Sequence, residues 1–75
     1  MNKFRRKQIE KAIVLIDEAR EILEEARDEE QEAFDNMPES LKTSERGEAM
    51  EGCISTLEEF IDNLDTDELQ EIVDG

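Results

Sequence analysis

The chain has 75 residues, nine bases against 23 acids for a formal net charge of −14, and a single cysteine. At this length there is room for one domain (residues 1–75) and a small core, because such a chain buries only about 60% of the surface its unfolded form exposes. One cysteine rules out an intrachain disulfide framework and fits a reducing compartment.

The charge is divided unevenly. Residues 1–11 hold five bases (Lys3, Arg5, Arg6, Lys7, Lys11) against Glu10, a net of +4, and the remainder carries −18. An acidic body repels nucleic acid and attracts basic protein surfaces. The basic start reads as a solubilising terminus that can also pair with acids of a neighbouring chain. No apolar run approaches the roughly 20 residues that span a bilayer, and no uninterrupted apolar segment of a signal peptide follows the charged start. The expectation is a cytoplasmic protein without membrane contact.

The first predicted element is a helix over about residues 4–35. Asn2 is its candidate cap, although the basic residues that follow oppose the positive helix end and predict a frayed first turn. Ile9, Ile16, Leu23, Glu30 and Met37 recur every seven residues, and Ala12, Ala19, Ala26 and Ala33 form a second line three residues after each of the first four. Two lines at that offset share one helical face. Leu15 and Ile22 widen it on one side, Ile13 and Phe34 on the other, so a partner helix has to cover it.

A corner over residues 36–43 holds the only proline. Asn36 is expected to cap a short turn there, with Pro38 in its first turn and Glu39 three residues on. A second helix is predicted over about 44–64, with Ala49, Met50, Cys53, Ile54, Leu57, Phe60, Ile61 and Leu64 on one face. Gly47 and Gly52 are read as close backbone contacts with the long helix. Asp65 with Glu68 repeats the capping pattern and opens a last short helix over about 66–73, with Leu69, Ile72 and Val73 on its apolar side. The expected fold is all-α: an antiparallel helical hairpin with a short third C-terminal helix, assembling into a dimeric helical bundle. Its packing seam is Ile9, Ala12, Ile16, Ala19, Leu23, Ala26, Ala33 and Phe34 with Leu57, Phe60 and Leu64.

Two features could carry function. Glu18, Glu21, Glu25, Asp28, Glu32 and Asp35 alternate steps of three and four along the face away from the seam. One charge about every 5 Å makes a row that could compete with nucleic-acid phosphate for a basic protein groove. Glu30 interrupts the apolar line where leucine or isoleucine belongs, and a buried carboxylate needs a partner. Arg46 is predicted to supply it once the chain reverses, with Arg20 or Arg27 of another copy as the alternative.

No catalytic constellation is present. Histidine, tyrosine and tryptophan are absent, and Cys53 on an apolar face reads as an inert buried thiol. Asp62, Asp65, Asp67 and Glu68 lack the glycine and ligand spacing of a calcium loop. No enzyme activity, metal or cofactor is expected.

The block Arg27 to Leu41, followed by Ser44-Glu45-Arg46-Gly47-Glu48, resembles a family of small acidic helical proteins of Gram-positive bacteria, their prophages and phages. The resemblance covers about Ile9 to Leu64 and implies a phage or mobile-element context. In general character the chain also looks like phage proteins that inhibit host defence, including acidic inhibitors of CRISPR or restriction systems. The leading expectation is therefore a non-enzymatic inhibitor whose acidic, nucleic-acid-mimicking helices occupy a basic surface of a host protein. The alternative is a homodimeric structural or adaptor bundle whose acids serve only solubility.

Overall fold

A computed structural model describes all 75 residues as four helices with no strand: α1 Lys3–Asp35, α2 Glu39–Lys42, α3 Glu45–Asp62 and α4 Asp67–Asp74. The expected all-α hairpin with a short last helix is what the chain forms, and α2 is a single turn at its corner. Helix α3 runs back along the second half of α1, and α4 packs beside the first half. The molecule is a rod with extents of 58 × 14 × 13 Å.

Helix α1 starts at full helical geometry. The Arg5 backbone N–H donates to Asn2 Oδ1 at 2.9 Å, which satisfies an otherwise free amide. The fraying expected from the basic residues is therefore not seen. No proline or glycine follows until Pro38, so the helix continues for 33 residues, about 50 Å.

The corner differs from the expected capping in one respect. Asn36 closes α1, its N–H donating to the Glu32 carbonyl at 3.0 Å, and Pro38 stands immediately before α2. The Pro38 carbonyl accepts from Leu41 at 2.9 Å and Lys42 at 3.1 Å. The proline ring presets φ near its helical value, while ψ of 146° keeps the residue outside the turn. Ser44 then caps α3 by accepting from the Gly47 N–H at 3.4 Å. Glu45 and Glu48 in the first turn of α3 add a favourable charge at the positive helix end.

Gly47 is buried because of this corner. A Cβ there would lie 2.6 Å from the Leu41 carbonyl oxygen and closer still to that of Lys42. Its close contact is thus with α2, not with the long helix as the sequence suggested. Gly52 has open space around it and makes no close contact. At the far end Asp65 Oδ1 accepts from Asp67 N–H at 2.9 Å. That bond reaches two residues on rather than to Glu68, which leaves Thr66 as the residue before α4.

The seam uses the first heptad line but not the second. Ile9, Ile16, Leu23, Glu30 and Met37 are all half-buried against the returning helices. The line beside them is Ile13, Arg20, Arg27 and Phe34, four residues after each of the first four instead of three. Ala12 is half-buried, whereas Ala19, Ala26 and Ala33 are exposed. The two candidate lines flank the first on opposite sides, and a single returning helix fills only one groove. The side with Ile13 and Phe34 offers more apolar area than a row of methyl groups. Arg20 and Arg27 fit there because their aliphatic stems cover apolar surface while the guanidinium groups reach outward. From α3, Ile54 and Ile61 are buried and Leu57 half-buried, as is Leu64 just beyond it, but Phe60 is 56% exposed. The fully buried apolar core is only Ile13, Ile54 and Ile61.

Candidate protein-interaction surface

Helix α1 holds Glu18, Glu21, Glu25, Asp28, Glu32 and Asp35 in one exposed row. An uninterrupted helix fixes their spacing, and the hairpin covers a different side. Few of these charges are neutralised. Asp28 pairs with the neighbouring Arg27 at 3.1 Å, and Asp35 accepts from Gln31 Nε2 at 3.0 Å. The other ion pairs, Arg20–Glu24 at 3.3 Å and Lys42–Glu39 at 3.4 Å, lie off the row. Glu18, Glu21, Glu25, Glu32 and Asp35 have no cation beside them.

The predicted Glu30–Arg46 ion pair does not form. Glu30 lines an open groove of about 640 Å³ with Ala49, Gly52, Cys53, Thr56 and Leu57, so it stands level with the middle of α3. Arg46 lies in the first turn of α3 and is exposed. Arg46 precedes Cys53 by about two helical turns and so lies too near the bend to reach Glu30. Glu30 is half-buried with no cation.

The groove reveals a second surface. Since Glu30 and the Ala49–Cys53 edge of α3 share its lining, the flank of α1 on that side and the outer edge of α3 belong to one face of the hairpin. Leu15, Ala19, Ile22, Ala26 and Ala33 are exposed on α1 there, and Ala49, Cys53, Thr56 and Phe60 on α3. Ile22 is 66% exposed. Cys53 is therefore not the buried thiol expected from its apolar neighbours, because that side of α3 has no covering helix. Leu15 and Ile22, which widen the stripe in the sequence, were the signal for this face. Their position showed its existence, but not that the chain itself leaves it open.

No group of three or more histidine, cysteine, aspartate or glutamate side chains is placed to hold a metal ion. No helix is long and apolar enough to cross a membrane. The second concave spot, between Gln31 and Phe34 of α1 and Glu51, Ile54, Ser55 and Glu58 of α3, is a surface cleft of about 240 Å³, below the range of about 300–1,000 Å³ usual for ligand sites.

Compared with protein-family models, curated proteins and solved structures, the chain matches none.

Proposed function

We propose that this is a non-enzymatic protein-binding protein, which presents the carboxylate row of α1 to a basic surface of a host protein. The observation that carries the reading is the row itself: six exposed acids on one helix, five of them without a cation. One charge falls about every 5 Å along the helix axis, comparable to the roughly 3.4 Å per phosphate along one strand of duplex DNA. A groove built for nucleic acid would meet a similar linear field. In its concrete form the protein is a phage inhibitor that occupies such a groove on a host defence protein.

The long helix suits this role because its acids do not depend on loop order for their alignment. Steering by charge raises the association rate more than the final affinity. The test uses the intact protein to capture a partner from a bacterial lysate and then measures binding to the purified partner. Association should slow with added salt, and nucleic acid should compete. The triple variant Glu18→Lys, Glu25→Lys, Glu32→Lys should associate far more slowly and lose its dependence on salt. An unchanged association rate in that variant would sink the reading. The exposed apolar face favours a second one, a homodimeric scaffold whose acids serve only solubility, and that reading predicts no basic partner.

A further inference from the structure

We infer that a second copy of this chain covers the face made by Leu15, Ala19, Ile22 and Ala26 of α1 with Cys53 and Phe60 of α3, giving a dimer of stacked hairpins. The first argument is area. A folded monomer of 8.7 kDa exposes about 4,700 Å² by the usual scaling of surface with mass, but this chain exposes 5848 Å². The excess, about 1,100 Å², exceeds the roughly 800 Å² each partner contributes to a standard stable interface.

The second argument selects the occupant. With only Ile13, Ile54 and Ile61 buried, the fold needs cover wherever the chain is made, and another copy of itself is the one partner always present with it. Its shape suits self-pairing. The large side chains Leu15, Ile22 and Phe60 alternate with the small Ala19, Ala26 and Ala49, so bulk on one copy can seat over small residues on the other. Alanines also let helix axes approach to about 8 Å. A two-fold pairing uses the same patch twice and closes on itself.

Net charge opposes pairing, since each copy carries −14, but its uneven distribution along the chain favours an antiparallel arrangement of the two copies. Residues 1–11 carry +4 and the rest −18, so the acidic body of a second copy supplies countercharge to the basic start of α1. A uniformly basic partner on this face would meet repulsion at that end. The carboxylate row lies roughly a third of a turn around α1 from the apolar face and stays open in the dimer. The dimer therefore does not rest on the acidic-surface reading, and either can fail alone.

Sedimentation equilibrium of the full chain, with helix content measured by circular dichroism, tests the inference. The expected mass is twice that of the chain. Ile22→Glu with Phe60→Glu should halve it, with or without loss of helix, and Glu58→Gln on the opposite edge of α3 should leave it unchanged. Because the double variant could unfold once uncovered, the wild-type protein provides an independent readout. Cys53 should react slowly with a bulky maleimide in the dimer and several times faster on dilution into the monomer range. A monomeric mass with full helix content, a double variant that remains dimeric, or a dimer whose Cys53 reacts as fast as in the diluted protein would each overturn the inference.

Discussion

Gly47 and Gly52 sit five residues apart on the same helix, yet replacing each with alanine should move stability in opposite directions. Alanine is favoured over glycine inside a helix by about 1 kcal/mol. At Gly52 nothing lies within 4 Å of the added Cβ, so Gly52→Ala should gain close to that amount. At Gly47 the new carbon would lie 2.6 Å from the Leu41 oxygen and 2.5 Å from the Lys42 carbonyl carbon. Both are backbone atoms and cannot swing aside as a side-chain end would. Relief requires α2 to move away from the start of α3, at an overpacking cost of about 1–3 kcal/mol that outweighs the helical gain. The two variants should then differ by the overpacking cost, about 1–3 kcal/mol, which separates their melting midpoints by roughly 4–24 °C at about 4–8 °C per kcal/mol for a chain this small. Thermal melts monitored by far-ultraviolet circular dichroism, at one fixed protein concentration because association shifts midpoints, make the comparison. If Gly47→Ala melted at or above the wild-type temperature, the crowding of α2 against α3 at this corner would be refuted.

The remaining tests concern the core and the charges. Ile61 is 3% exposed, so Ile61→Ala should cost about 2–5 kcal/mol; Ile72→Ala, at a position 41% exposed, should cost under about 1 kcal/mol. Equal losses in urea titrations would contradict the assigned core. Glu30→Leu replaces a half-buried acid that has no cation with a side chain matching Leu23 and Met37, and should raise stability by about 1 kcal/mol; a lower denaturation midpoint would mean that the carboxylate has a partner after all. Added salt should raise the melting temperature. The chain has a net charge of −14 and three surface ion pairs worth at most about 1 kcal/mol each, so screening removes more repulsion than attraction. A midpoint that falls between low and high salt would reverse that balance.

The sequence made the helices legible and left their pairing open, and α1 shows why. The seven-residue recurrence from Ile9 to Met37 is a property of one helix, and that line does face inward. Whether its companion is the alanine line or the line through Ile13 and Phe34 depends on where α3 lies, which local spacing does not encode. The same applies to Glu30 and Arg46. The corner's length and its short helical turn were legible, but not how far along α1 the returning helix lies, which puts the stretch around Cys53 opposite Glu30. Cys53 and Phe60 looked buried because apolar residues on a helix usually find cover; here a lone hairpin has only one inner seam. The carboxylate row needed no partner to be located, since its spacing alone puts it on one side of a straight helix.

The corner also bears on how this chain can vary. Surface connections between helices ordinarily accept insertions and deletions. This one is itself part helix, with the Leu41 and Lys42 carbonyls lying directly over Gly47. One residue added within α2 would move the Leu41 and Lys42 carbonyls from their seat over Gly47 and displace the start of α3 with them, disturbing the packing of Ile54 and Ile61 in the seam. Chains descended from the same ancestor should therefore differ freely in side chains along the outer surfaces while keeping the count between Asn36 and Gly47 constant.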